Sequence, residues 1–323
     1  MKKIRSNSSQ FELFNDTKTE SFANAKPFLK WAGGKSQLIE EIELIIPKKL
    51  KDHGRYTYVE PFIGSGALMF HLLKKYPSKI DFVIINDTNT ILTSIYKYLK
   101  NEPENILKIL KTLKDRYLNY SLEEDRKNYF LELRSNFNSI KSNSIEKACL
   151  MIFLNKTCFN GLYRVNSRNE FNVPFGSYKN PSIYDESVMV TDSKLLQRVK
   201  ILEGDFEETL ESVNGNTLFY FDPPYKPIST TSSFNSYSSD IFDDNEQKRL
   251  KAFCDKITSS KFNFILSNSD LKNINPEDNF FDDLYKDYKI KRVPAKRSIN
   301  SDSTQRGQIF ELLITNANYF VEW

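Results

Sequence analysis

Residues 217–225 read TLFYFDPPY. Leu218 to Phe221 is an unbroken apolar run of strand length, the pattern of a strand covered on both faces in a parallel sheet. Two consecutive prolines cannot donate ladder hydrogen bonds, so the strand must stop there and present Asp222 and the Pro223 carbonyl at the sheet's C-terminal edge. Open α/β sheets bind their ligands at that edge. Asp222 and the Pro223 carbonyl are both acceptors, and Tyr225 adds a flat face. A pair of acceptors facing one exocyclic amine holds both its N–H groups and draws its lone pair out of conjugation with the ring. The amine then becomes a usable nucleophile.

Outward from this strand, further strands are expected at Tyr56 to Glu60, Ile80 to Ile85, Val199 to Leu202, Phe262 to Leu266 and Phe310 to Ile314. Helical spacing marks Leu38 to Ile46, stopped by Pro47, and an apolar helix follows at Ala67 to Leu73. From about residue 90 to 160 the pattern changes to long helical stretches, Ile91 to Leu99, Ile106 to Leu118 and Ile145 to Leu154. The expected fold class is α/β: a sheet with helices on both faces, completed by sequence on the far side of an inserted, mainly helical domain. Residues 1–25, polar and without sustained periodicity, read as a flexible N-terminal arm. Residues 26–90 and 191–323 then form the sheet domain and residues 91–190 the insertion. The Ser-rich stretch Ile228 to Asp240 reads as a mobile loop.

The chain has 323 residues, with 46 Lys and Arg against 42 Asp and Glu, a formal charge of +4 and a pI near 8.6. This is a mild hint of an anionic partner. At 39% hydrophobic residues the chain is apolar enough to bury a core and too apolar to be disordered. No window approaches the roughly 18 uninterrupted apolar residues of a membrane span, and the start, MKKIRSNSSQFELF, lacks the apolar stretch of a signal peptide. A soluble, cytoplasmic protein is expected. Cys149, Cys158 and Cys254 form no CxxC pair, and the two histidines, His53 and His71, sit in unrelated contexts. That argues against a zinc cage, a disulfide framework and the Ser-His or Cys-His machinery of hydrolases. No metal is expected, and the chemistry falls to carboxylates, backbone and a bound cofactor.

The segment VEPFIGSGALMF, Val59 to Phe70, places Gly64 and Gly66 just after a strand. Glycines there let the backbone approach a ligand, and the helix that follows points free N–H groups at it. Met69 stands where a third dinucleotide-type glycine would fall. Asp87, 21 residues after Gly66 at the end of the next strand, sits where an acidic residue accepts hydrogen bonds from ribose hydroxyls. Together these features point to a nucleoside cofactor. In FLKWAGGKSQL, Gly34-Lys35-Ser36 looks like the end of a phosphate-binding loop, but its first glycine would have to fall at Leu29. Trp31, Gly33, Gly34 and Lys35 instead read as a turn that offers a carboxylate a cation and a ligand an indole face.

FLKWAGGK, VEPFIGSG, the strand ending in Asp87, EGDF at Glu203 to Phe206 and DPPY at Asp222 to Tyr225 follow one another along the chain. In that order, over most of residues 27 to 316, the sequence resembles the Dam family of DNA N6-adenine methyltransferases, of the D12 class and GATC type. The resemblance implies a Rossmann-like methyltransferase sheet using S-adenosylmethionine. Trp31, Gly33, Lys35, Phe62, Gly64, Gly66, Asp87, Asp205, Phe206 and Asp222 would lie at the cofactor site, where Lys35 suits the methionine carboxylate and Asp87 the ribose. Asp222, Pro223 and Tyr225 are the implied catalytic residues.

Within the insertion, FNGLYRVNSRNEFNVPFGSYKNP, Phe159 to Pro181, resembles the segment of GATC-specific members that enters the DNA. Arg164 corresponds to a residue that reads a guanine, as the bidentate geometry of Arg toward O6 and N7 would favour. Phe159 lies at the family's intercalating aromatic position, usually Tyr, and Asn160, Leu162, Pro174 and Tyr178 fall at neighbouring contact positions. Ser177 stands where a basic residue often occurs. The loop Ser229 to Asp240, with Phe234 and Tyr237, resembles a lid over a flipped base. KDYKIKRVPAKRS, Lys286 to Ser298, concentrates positive charge suited to phosphates, and Arg297 and Asn300 continue into a family-like tail. The implied activity is site-specific methylation of adenine N6 in duplex DNA, either beside a cognate restriction endonuclease that it need not touch or in repair and replication timing, two roles that the sequence leaves open. A monomer or weak dimer is expected. Rival readings are methylation of an RNA base or a protein glutamine, and a DNA-binding regulator that has lost catalysis.

Overall fold

Seven strands join in one sheet: β1 (Tyr56–Glu60), β2 (Ile80–Ile85), β3 (Val199–Ile201), β4 (Thr217–Phe221), β5 (Asn263–Ser269), β6 (Lys289–Lys296) and β7 (Gln308–Thr315), in the order β3-β2-β1-β4-β5-β7-β6. The computed structural model describes residues 22–31, 37–47, 55–225, 242–296 and 308–317. Gly33, Lys35, Phe234, Tyr237, Arg297 and Asn300 lie outside the described residues, as do the loop Ser229 to Asp240 and most of the expected arm.

β1 to β5 pair in parallel, and β7 runs antiparallel to both β5 and β6. β4 is buried at all five positions, as its unbroken apolar run requires. Its side chains alternate between two cores. Leu218 and Tyr220 join one apolar cluster, while Phe219 and Phe221 join the other with Phe253, Phe264 and Tyr285. The second face is covered by α8 (Asp244–Ser259) and α9 (Phe280–Leu284), through Leu250, Phe253, Ile257 and Phe281. The first face carries α1 (Ile39–Ile45) and α2 (Ala67–Lys75). Between β2 and β3 the chain builds α3 (Thr90–Asn101), α4 (Pro103–Asn119), α5 (Glu123–Ser139), α6 (Ile145–Thr157) and α7 (Glu186–Leu196). Their buried faces, including Ile95, Leu110, Phe130 and Phe153, continue the same apolar cluster as the first face of the sheet. No helix of the described residues is long and apolar enough to cross a membrane.

The sequence reading did not anticipate α7, α8 or α9, and three further elements depart from it for identifiable reasons. α5 was not anticipated because its polar face dominates, yet Tyr129, Phe130, Leu133 and Phe137 line its inner side. β5 runs past Leu266 into Ser267, Asn268 and Ser269, and the first two of these polar residues are fully buried. β6 falls in the basic stretch, where it forms the sheet's edge, and lysines with Pro294 suit an edge strand that must not recruit another chain.

Asn155, fully buried on α6, ties the insertion to the segment entering the fold. Its Oδ1 accepts the Lys30 N–H at 2.9 Å, and its Nδ2 donates to the carbonyls of Lys30 at 2.8 Å and Gly161 at 2.9 Å. Replacement by Ala strands one donor and two acceptors. Asn155→Ala should lower the unfolding free energy by about 2–4 kcal/mol, read from the urea midpoint at unchanged slope.

Candidate functional site

The order of the sheet reverses beside β1: β2 and β3 lie to one side, and β4 returns on the other. The crevice between the C-terminal ends of β1 and β4 is a topological switch point. Four of the residues singled out above converge there or beside it: Gly64 and Gly66 follow β1, Asp87 follows β2, and Asp222 follows β4.

Gly64 and Gly66 both have left-handed backbone, at φ 47° and 68°, and Gly66 is the residue from which α2 starts. Two N–H groups serve the Asp87 carboxylate: Gly64 donates to Oδ2 at 3.3 Å and Asn89 to Oδ1 at 2.9 Å. Burial nevertheless pushes the Asp87 carboxyl up to about 6, because these donors only partly replace water. The Asn86 side chain fixes the crevice walls by donating to the carbonyls of Pro61 at 3.2 Å and Gly204 at 2.9 Å.

Trp31 crosses the glycine turn so closely that a Cβ on Gly64 would lie 2.9 Å from its Cδ1. One indole face is stacked on Tyr163, with ring centroids 5.2 Å apart and planes 17° from parallel. The indole that the sequence offers to a ligand thus gives a face to the insertion.

At the β4 edge, Asp222 is half-buried and Pro223 buried. Ser267 reaches Asp222 Oδ1 at 3.3 Å, and the Tyr225 hydroxyl donates to Glu311 Oε2 at 2.8 Å. A second carboxyl, Glu60, sits buried at the end of β1 and accepts the Tyr58 hydroxyl at 2.9 Å. Burial and then the nearby Asp222 charge push the Glu60 carboxyl well above its usual range, against the hydrogen bond from Tyr58. Glu60 drew no attention in the sequence because the reading of VEPFIGSG rested on its glycines.

Phe62, Phe206 and Phe242 form an aromatic wall beside the crevice, with Phe62 5.4 Å from Phe206 and 5.7 Å from Phe242. Asp205 starts the turn at Phe206: its Oδ1 accepts the Glu207 N–H at 2.9 Å and its Oδ2 the Arg249 guanidinium at 2.6 Å. Arg249 also lies 4.4 Å from the Phe206 ring centre. Phe242 and Arg249 were not anticipated. The first follows a long polar stretch, and the second is one charge on a highly charged helix.

Phe159 to Pro181 is a separate surface. Phe159 is 52% exposed, and Asn160 turns the chain at φ 55°. Arg164 donates from Nε to Asn172 Oδ1 at 2.8 Å and from Nη2 to the Asn172 carbonyl at 3.4 Å. Its partners are amides, so its charge is oriented and not neutralised. Leu162, Pro174 and Tyr178 lie on the same segment, and Lys30 sits 5.6 Å from the Tyr178 ring centre. A cavity of about 360 Å³ opens beside it, lined by Lys26, Lys30, Lys156, Tyr178, Tyr184 and Asp185. Burial, then Lys30 and Lys26, push the Lys156 ammonium down to about 8.

The basic stretch on β6 is another matter. Lys291 pairs with Glu41 at 2.8 Å, and Arg292 with Asp270 and Asp282, each at 2.7 Å. These two charges stitch the edge strand to the fold and are poorly disposed to meet phosphates.

A sequence model of the D12 class N6 adenine-specific DNA methyltransferases matches residues 31–299. Type II methyltransferase M.MjaIII of Methanocaldococcus jannaschii is 47% identical over 294 residues, which cover 90% of this chain and 99% of that one. Type II methyltransferase M1.LlaDCHI of Lactococcus lactis subsp. cremoris is 38% identical, covering 91% and 96%. The DNA adenine methylase of Haemophilus influenzae is 30% identical, covering 89% and 92%.

The stack between Trp31 and Tyr163 is directly measurable, since Trp323 is the second tryptophan and can be replaced by Phe. In that background Tyr163→Ala should cost about 3 kcal/mol of stability and raise the acrylamide quenching of Trp31 fluorescence. Unchanged quenching would show the indole uncovered already.

Proposed function

Because the chain belongs to the D12 class N6 adenine-specific DNA methyltransferases, we propose that it methylates the adenine of GATC in duplex DNA from S-adenosylmethionine, by base flipping and direct displacement. The observation that carries this reading is the convergence of the Asp222-Pro223 edge, the glycine turn and Asp87 on one switch-point crevice.

The adenine N6 cannot be reached inside the base stack, so the target must leave it. Asp222 and the Pro223 carbonyl accept the two N–H groups of the extruded amine and turn its lone pair outward. Tyr225 stacks on the base, and its hydroxyl bond to Glu311 holds the ring plane. Of Asp222 and Glu60, Asp222 is the more exposed carboxyl group, so it is the better placed to ionise and grip the amine. Positioning and electrostatics supply the rate, with no covalent enzyme intermediate.

The residues present suit the cofactor. Asp87 is a half-buried carboxylate with two N–H donors, and ribose hydroxyls would supply further ones; Phe62 and Phe206 offer an apolar wall to the cofactor's adenine, and Trp31, Gly64 and Gly66 border it. Asp205 would reach the adenine only while held by Arg249. The family resemblance adds Gly33 and Lys35. When bound, S-adenosylmethionine supplies an electrophilic methyl group on a sulfonium.

Residues 91–190 act as the target-recognition domain and residues 26–90 and 191–323 as the catalytic domain. Arg164 keeps Nη1 and part of Nη2 for a guanine, Phe159 is exposed enough to wedge between bases, and Asn160, Leu162, Pro174, Tyr178 and Arg297 complete the contact set. The names of the two type II relatives support a place beside a restriction endonuclease.

The test is methyl transfer from tritiated cofactor to plasmid, followed by digestion with an endonuclease blocked by methylated GATC. Protection is expected; full cleavage would remove the GATC assignment. Asp222→Ala should keep DNA binding and lose transfer by at least about 10²-fold, and undiminished transfer would overturn its role.

Asp87 predicts a pH dependence. Its folded value of about 6 lies above the unfolded value of about 3.9, so its contribution to stability is full below the latter and lost as pH rises through 6. Ligand binding runs the other way, because ribose hydroxyls donate to the ionised form. Affinity for S-adenosylhomocysteine, measured calorimetrically from about pH 5 to about pH 8, should weaken below about 6, and Asp87→Asn should bind weakly with that dependence gone.

A further inference from the structure

β5 extends beyond its apolar run, and the extension brings a polar group against the chemistry. Ser267 is fully buried one position past the pair Phe221–Leu266, hence level with Asp222. Its Oγ meets three oxygens: the Tyr220 hydroxyl at 3.0 Å, the Phe221 carbonyl at 3.3 Å and Asp222 Oδ1 at 3.3 Å. A serine hydroxyl has one proton to give, and a charged carboxylate is a better acceptor than a carbonyl. Tyr220 is also fully enclosed and can satisfy its own proton by donating to Ser267 Oγ. The chain of donation then runs from Tyr220 to Ser267 to Asp222, each bond polarising the next.

We propose that Ser267, backed by Tyr220, is the positioning residue that fixes the orientation of the Asp222 carboxylate for methyl transfer. The assignment rests on Asp222 being the acceptor of the substrate amine. A half-buried Asp at a strand end has rotamers to spare, and an ångström of misplacement costs about 10²-fold in rate. Ser267 removes that freedom from the side opposite the solvent. Among the described residues, the titratable groups disposed around Asp222 are Glu60 on β1, Tyr220 on β4 and, through Tyr225, Glu311 on β7. Glu60 and Glu311 disfavour the Asp222 charge, whereas Ser267 donates to its carboxylate and favours the ionised form.

The test is the single-turnover methylation rate of the full chain at saturating cofactor and DNA, followed across pH. Ser267→Ala should slow transfer about tenfold, the scale of one hydrogen bond to a charged group, with dissociation constants for DNA and S-adenosylhomocysteine unchanged. Loss of the donor raises the pH at which Asp222 ionises, so the acid limb of the rate profile should move to higher pH. Ser267→Thr keeps the hydroxyl and should restore both rate and limb. Tyr220→Phe should move both in the same direction by less, and it keeps the question open to test if the alanine variant folds poorly. An unmoved acid limb in Ser267→Ala and Tyr220→Phe, whatever the rate, would overturn the proposal. Asp222→Asn separates the two readings: transfer that survives it removes the role of Asp222 itself, whereas its loss beside an active, unshifted Ser267→Ala removes only this inference.

Discussion

Two carboxyl groups at the C-terminal ends of adjacent strands disfavour each other's charge, the more so for the one that is enclosed. Glu60 and Asp222 are such a pair, and much of the surrounding structure reads as the resolution of that conflict. Glu60 is enclosed, its carboxyl pushed well above the usual range by burial, with Tyr58 as its hydrogen-bond donor. Asp222 stays half-open and is met from the other side by Ser267. Hydroxyls meet both carboxyl groups at this strand edge: Ser267 at Asp222 and Tyr58 at Glu60.

The same sheet edge is joined to the insertion by two small devices. Asn155 clips the backbone at Lys30 to the turn at Gly161, and Trp31 lies between the glycine turn and Tyr163. A side chain on Gly161 would run into Lys30, which is a packing reason for glycine there as well as a left-handed φ of 67°. The residues that border the crevice and those that border Arg164 are thus in van der Waals continuity through one aromatic stack. The shared apolar cluster extends that continuity, so the insertion is built on the sheet and not hung from it.

Charge is distributed with the same economy. The formal excess of +4 is small, and part of the positive charge is spent internally on β6. Near Tyr178, Lys26, Lys30 and Lys156 line one cavity with Asp185, which pairs with Lys26 at 3.8 Å, and burial, then Lys30 and Lys26, depress the Lys156 ammonium. A mean charge hides such a division, because ion pairing depends on which carboxylates the fold brings within reach.

Sequence alone determined the elements whose signals are local. An unbroken apolar run ended by Pro223 and Pro224 must be a buried strand that stops, and glycines after a strand must turn; β4, β1 and the turn at Gly64 and Gly66 follow from those facts. Asp87 and Asp222 were legible as candidate site residues because each follows the end of a strand. Tertiary structure decided what depends on partners distant in the chain. Ser267 and Asn268 look like loop residues until β4 and β7 enclose them, Lys291 and Arg292 look free until Glu41, Asp270 and Asp282 arrive, and Glu60 looks like an ordinary carboxylate until burial beside Asp222 raises it. Periodicity records which way a side chain faces, and only packing records what it meets there.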